Sequence, residues 1–288
     1  MFNKNSLINL FKGALIGVSM IIPGVSGGTV AVLLNIYNEL IEAISNLKSE
    51  FKKSFKFLLP IAIGMVLAFV AMYFPLKLAL KYIPLETISL FAGLMLGSIP
   101  NLYHNASKNG IKKIDLCSIL IPFAFVIGIC FIPGLNGVNL STSLKPYMYI
   151  ILLLVGVAAS VALVVPGISG SMLLLILGFY EPLLNTISGI KTAPLHSILV
   201  LLIFVIGLLV GFFTIAKLMK YLLNKFPRVV NWVIFGFVCG SIIAIYLSVD
   251  YKTINIDVIG IVISILLVFV GVFSSYKLID MIKDKEND

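Results

Sequence analysis

Charge is scarce in this chain. Only 11% of its 288 residues are Asp, Glu, Lys or Arg, while 60% are hydrophobic. A soluble domain carries about a quarter charged residues. Together with a mean hydropathy of +1.13, the shortage excludes a soluble core and points to a polytopic membrane protein. Histidine is nearly absent. His104 and His196 are the two present, and neither has a carboxylate or cysteine at ligand spacing, which argues against a metal centre or a histidine base. The three cysteines, Cys117, Cys130 and Cys239, are odd in number and sit in apolar segments. They read as small packing residues, not as a disulfide framework. No Gly-Lys-Ser/Thr follows any glycine-rich stretch, so there is no P-loop. The acidic residues are scattered and form no metal-binding carboxylate cluster, so phosphoryl chemistry lacks its usual machinery and no enzyme activity or cofactor is expected. No basic patch alternates with exposed aromatics, which excludes a nucleic-acid partner. Lys4 and Lys12 precede an apolar run as in a leader peptide. No small-x-small cleavage site follows, and Pro23-Gly24 interrupts the run, so the segment is expected to be retained.

What is present is one short motif that occurs twice. Pro23-Gly24-Val25-Ser26-Gly27-Gly28-Thr29 and Pro166-Gly167-Ile168-Ser169-Gly170-Ser171 each break an apolar run. Proline removes a backbone donor and glycine permits unusual dihedrals, so a continuous helix through either point is disfavoured. A broken helix inside lipid is tolerated only where the freed backbone faces protein, water or ligand. Interrupted segments at corresponding positions of two halves are a sequence pointer to a transporter's binding site.

The duplication extends along the chain. At the 143-residue offset separating Pro23 from Pro166, Gly13 pairs with Gly156, Tyr37 with Tyr180, Gly64 with Gly207, Pro84 with Pro227 and Gly93 with Gly236. Gly97 pairs with Gly240, Ser98 with Ser241 and Gly128 with Gly271. The reading is an all-α membrane protein with an internal repeat: residues 1–133, a linker at 134–146 rich in Gly, Asn, Ser and Thr, and residues 147–288 including a charged tail. Broken units at 13–45 and 147–188 are each followed by three spans. These are near 57–76, 87–103 and 115–133 in one half, and near 197–217, 230–249 and 257–275 in the other. Lys77, Lys81 and Pro84 are expected to end the first of them.

Charge sets the expected orientation. If each broken unit is a hairpin entering and leaving on one side, the three remaining crossings invert the second half. One side then holds 16 of the 21 Lys and Arg residues and the other holds 5. Single crossings would split them 12 against 9. The positive-inside rule favours the hairpins, with both termini cytoplasmic. The short, slightly polar half-segments favour re-entrant hairpins over full crossings.

Two inverted hairpins would bring their tips together. Small residues let a backbone approach a ligand, and free N–H groups at helices starting from Ser26 and Ser169 suit an anion, phosphate especially. The alternative is that Pro-Gly-x-Ser-Gly only permits a tight turn and close packing. Glu39 and Glu181 lie beyond the tips, beside Tyr37 and Tyr180, as candidates for coupling to protons or another ion. Their bland alternative is that they end their segments at the interface, as Glu42 does. Arg228, the only arginine, follows Pro227 and could clamp a phosphate or anchor a helix end. The glycine pairs at four-residue spacing fit helix packing.

The paired motifs, with a tyrosine following each, resemble the bacterial and archaeal polyprenyl-phosphate transporter family (PopT-type), formerly known only as a membrane domain of unknown function. The resemblance covers nearly the whole chain. It implies a multi-pass protein of the cytoplasmic membrane that returns undecaprenyl phosphate from the outer to the inner leaflet for reuse in cell-envelope synthesis. The candidate substrate contacts are then Pro23, Gly24, Ser26, Gly27, Gly28, Thr29, Pro166, Gly167, Ser169, Gly170 and Ser171 of the tips, together with Tyr37, Tyr180 and Arg228. Ser171 stands where the first motif has Gly28, so the two tips need not bind the head group equally. The competing expectation is a secondary transporter of a small soluble anion, which would share the broken helices. The sequence does not specify an oligomeric state.

Overall fold

Long apolar runs leave the backbone one economical choice in lipid, which is to satisfy its own hydrogen bonds within each segment. The computed structural model follows that rule. It describes residues 4–22, 25–108, 112–132, 140, 145–189, 192–247, 249, 251 and 257–287. Among these there are twelve helices and no strand. In order they are α1 (Lys4–Ser19), α2 (Gly27–Leu33), α3 (Tyr37–Ser45), α4 (Phe51–Tyr82), α5 (Pro84–Ser107) and α6 (Lys113–Cys130). There follow α7 (Pro146–Val164), α8 (Gly170–Ile176), α9 (Tyr180–Ser188), α10 (Pro194–Lys225), α11 (Pro227–Leu247) and α12 (Val258–Asn287).

Six of them, α4, α5, α7, α10, α11 and α12, are long and apolar enough to cross a membrane, while α1 and α6 hold shorter apolar stretches. The chain is a multi-pass membrane protein. Helix α4 outruns its expected end. It continues through Pro75, Lys77 and Lys81 to Tyr82, and also contains Pro60. A proline inside a helix forfeits one backbone bond without ending it when neighbours compensate, and lysine stems lie along an apolar face with the ammonium outward. Pro84 begins α5 instead of merely closing α4. At the first helical position its missing donor costs nothing.

The element bounds recur at the 143-residue offset. Helices α2 and α8, α3 and α9, and α4 and α10 begin and end at matching positions. Packing recurs with them: α1 lies on α4 as α7 lies on α10, and α5 lies on α12 as α11 lies on α6. Glycine makes these contacts close. A Cβ at Gly13 would land on the Ile61 carbonyl, and one at Gly64 on the Leu10 carbonyl. At the matching positions, Gly156 meets the backbone of Phe204, and Gly207 that of Leu153.

Helices α5 and α11 meet each other, bridged by the Tyr246 hydroxyl bonded to Ser89 Oγ at 3.1 Å. The main core gathers here. Ile88, Ala92 and Met95 of α5 and Ile234, Val238 and Ile245 of α11 join Val32, Leu33, Tyr37 and Ile41 of the first broken unit. A smaller cluster holds Leu152, Val155, Phe179, Leu183 and Val200 of the second half.

Candidate functional site

The site follows from a deletion that proline makes in the backbone. In a continuous α7, the carbonyls of Ala162, Leu163 and Val164 would accept from the N–H groups of residues 166, 167 and 168. Pro166 has no N–H, and the helix stops at Val164. Ala162 and Val164 therefore present carbonyls that need donors, and Gly167 presents an N–H that needs an acceptor.

The first half supplies all three partners. Ser26 Oγ donates to the Ala162 carbonyl at 3.2 Å. The Tyr37 hydroxyl donates to the Val164 carbonyl at 2.9 Å. Gly167 N–H donates to Thr29 Oγ1 at 2.8 Å. Ser26, Thr29 and Tyr37 are 4%, 0% and 4% exposed. At that burial each unpartnered group would cost about 1–3 kcal/mol. The two motifs are thus clasped, one repairing the backbone of the other.

Gly167 is the hinge of the second break. Its φ is +86°, and an added Cβ would lie 2.8 Å from both Cβ and the carbonyl oxygen of Phe237. Its own carbonyl accepts from Ser241 Oγ at 3.2 Å, while the same hydroxyl reaches the Phe237 carbonyl at 2.8 Å. Ser241, not among the residues singled out from the sequence as site candidates, ties α11 to the tip. Its one signal was the Ser98–Ser241 match at the repeat offset.

The remaining motif residues sort as follows. Pro23 and Gly24 lie outside the described residues. The sequence pattern starts the helices at Ser26 and Ser169, but they begin one residue later, with both serines in extended conformation at the N-cap. Ser169 accepts from Met172 N–H at 3.5 Å and sits 3.1 Å from Ser171 Oγ. Gly27 faces Ile16, and Gly28 lies against the second break, where a Cβ would come 3.3 Å from the Val164 carbonyl oxygen. Gly170 has ordinary space toward Ala162, Pro166 is fully buried, and Ser171 is exposed. The difference between Gly28 and Ser171 has a packing reason: the first position is pressed on the other motif and the second is open.

Each unit also carries a second break that the sequence reading did not anticipate. Asn35 has φ +55° and Gly178 has φ +75°, at matching positions 143 residues apart. Asparagine and glycine are the residues that tolerate this left-handed region. Beyond it, α8 and α9 are bent by 106°. Tyr37 and Glu39 accordingly sit on a separate short helix, as do Tyr180 and Glu181.

Arg228 is not brought to the tips. It stands in the first turn of α11, about 13 Å along the helix from Phe237 by helical rise. Its Nε donates to Asp115 Oδ1 at 3.1 Å, and Nη2 contacts Oδ2 of the same carboxylate. Asp115 Oδ2 also accepts from the Lys112 N–H at 2.6 Å, completing the start of α6. The guanidinium is spent on an interhelical fork, which fits the helix-anchor alternative better than the phosphate clamp.

Glu39 is exposed and Tyr180 half-buried, and Glu181 is exposed on α9. Glu39 lines a polar cavity of about 310 Å³ with Asn35, Asn38, Asn105, Lys108 and Asn231. Across Tyr37, which lines both, lies an apolar cavity of about 350 Å³ walled by Gly27, Gly28, Met65, Val164 and Phe212, among others. Among the described residues no group of three or more His, Cys, Asp or Glu side chains could hold a metal.

A helical bundle with interrupted helices, in which side chains of one half satisfy the break in the other, flanked by a polar and an apolar cavity, is built as a membrane transporter is built. The chain belongs to the family described as undecaprenyl phosphate translocase-like, whose profile matches residues 16–263. It is 33% identical over 250 residues to a polyprenyl-phosphate transporter of Staphylococcus aureus, covering 83% of this chain and 86% of that protein. It is 30% identical over 253 residues to a polyprenyl-phosphate transporter of Vibrio cholerae, covering 83% of this chain and 77% of the other. No solved structure matches the chain. Membership places it among transporters, not enzymes.

Proposed function

We propose that this protein carries a polyprenyl phosphate, undecaprenyl phosphate foremost, from the outer to the cytoplasmic leaflet of the cell membrane for reuse in envelope synthesis. The observation that carries the mechanism is the clasp. Ser26, Thr29 and Tyr37 satisfy the backbone around Pro166 and Gly167, and the hydroxyl donors in that set are the groups a phosphate oxygen would compete for. A charged head group at membrane depth needs such donors, whereas the isoprenoid tail can stay in lipid. An apolar cavity next to Gly27 and Gly28 and a polar one beyond Tyr37 suit an amphiphile. The relatives' names favour this substrate over a small soluble anion.

In this reading residues 1–133 and 147–288 are inverted repeats joined by 134–146, each beginning with a re-entrant hairpin, and both termini are cytoplasmic. The halves rock to expose the tips to either leaflet. The matched helix bounds and the uneven distribution of lysines support it. Glu39 and Glu181 are the groups through which protons or another ion would couple.

The test is surface exposure of the lipid phosphate in intact cells that lack any second flippase. Depleting this protein is expected to raise exposure, and wild type but not Ser26→Ala with Ser169→Ala is expected to reverse it at equal protein level. Unchanged exposure on depletion would refute lipid-phosphate transport.

A further inference from the structure

The tips explain where a head group crosses but not where it goes next. The polar cavity lined by Asn35, Asn38, Glu39, Asn105, Lys108 and Asn231 offers an answer. It draws these side chains from three places: the second break and start of α3, the end of α5, and the start of α11. Val32 and Tyr37 also line it, so it begins where α2 ends, about 10 Å from Gly27 by helical rise. Lys108 in its lining is the residue that caps the end of α5.

We infer that this cavity is an inner resting site for a phosphate monoester, the head group of the transported lipid, occupied after the tips and before release. The inference rests on the transport reading above. Four side-chain amides can each turn two N–H donors to an anion, and Lys108 supplies an opposing charge. Solvation of helix ends would call for similar residues on the opposite face. The positions 143 residues away from Asn35, Asn38, Asn105, Lys108 and Asn231 are instead Gly178, Glu181, Ser248, Tyr251 and Ile88. Neither amide nor cation recurs there. The amides therefore belong to one side of the protein only, as a receiving site would.

Glu39 is the dissenting member. Its carboxylate shares the cavity and repels a phosphate. A conduit must bind well enough to accept and weakly enough to release, and Glu39 keeps the site on the weak side. The sign of its effect is therefore opposite to that of its neighbours.

The experiment is equilibrium binding of tritiated farnesyl phosphate to the purified full chain, with farnesol and inorganic phosphate as competitors. Lys108→Ala and Asn231→Leu are expected to weaken binding by about 10-fold each, the loss of one charge-assisted hydrogen bond. Glu39→Gln is expected to tighten it several-fold, a gain that misfolding cannot imitate. Farnesol should not compete. Wild-type binding with all three variants within about twofold of it would overturn the inner site and leave the transport reading standing. Wild type that binds no farnesyl phosphate would overturn both. Inorganic phosphate binding as tightly as the prenyl phosphate would mean that free phosphate is the occupant, and would overturn the lipid assignment.

Discussion

The two broken units share a motif, helix bounds and a second break, yet they live in different surroundings. In the first, Gly28, Thr29, Ala31, Val32 and Leu33 of α2 are buried, and α2 and α3 pack on α1 and α4 of their own half and also reach across to α7 and α10 of the other. In the second, no residue of α8 is buried, and α8 and α9 pack on α7 and α10 of their own half. Two units with the same bends thus occupy unequal environments, and their sequences differ accordingly, with Thr29 and Ala31 in α2 where α8 has Met172 and Leu174. Intrinsic preference accounts for the shared bends, and tertiary partners account for the difference. In the transport cycle proposed above, such inequality is what one of two exchangeable states would look like, the oppositely facing form being reached by exchanging the environments of the units.

The strongest way to break this comparison is to freeze it. In a background without Cys117, Cys130 and Cys239, a disulfide between Ser26→Cys and Ala162→Cys should abolish transport, and reduction should restore it. The offset counterparts Ser169→Cys and Ser19→Cys should cross-link in working cells only if the units exchange places. Their failure to do so under turnover, with the first pair competent, would sink the exchange.

Next in size is Gly167→Ala. With φ +86° and Phe237 against the new methyl, it should cost about 2–4 kcal/mol, seen as a large drop in thermal midpoint of the purified protein. Gly170→Ala should be mild by comparison, since its space is ordinary. Thr29→Val strands the Gly167 N–H and should cost about 1–3 kcal/mol. Met172→Leu, at the matching position, should cost less than about 1.5 kcal/mol. Tyr37→Phe strands the Val164 carbonyl and should likewise cost about 1–3 kcal/mol, against a lesser effect for Tyr180→Phe. Equal shifts for Thr29→Val and Met172→Leu, or for Tyr37→Phe and Tyr180→Phe, would erase the claimed inequality between the units.

Much of this was legible in the sequence because Pro, Gly and repetition act locally. Pro166-Gly167 marked a break, and the offset aligned α2 to α4 with α8 to α10. The second breaks were not foreseen. Gly178 alone could be a packing glycine, and asparagine is only permitted in the left-handed region, not driven there, so Asn35 by itself announces no break. The extent of α4 was misjudged because helix propensity and tertiary support outweigh two lysines and an internal proline. Asp115 went unnoticed as the partner of Arg228 because 113 residues separate them, and no local pattern reports such a meeting. The clasp was only half readable. Its serine and tyrosine stood out, but that their partners would be the carbonyls released by Pro166 depends on how the halves dock.

That released carbonyl at Ala162 has a consequence for idling. Proline has permanently removed its natural partner, so whenever Ser26 withdraws, something else must take its place. Parting the halves with nothing aboard strands a buried oxygen at about 1–3 kcal/mol, and the Val164 carbonyl doubles the stake. A cargo whose oxygens accept from the Ser26 and Tyr37 hydroxyls, accompanied by water that donates to the carbonyls, lowers that barrier. In the proposed cycle, empty cycling is thus discouraged by a single missing hydrogen atom.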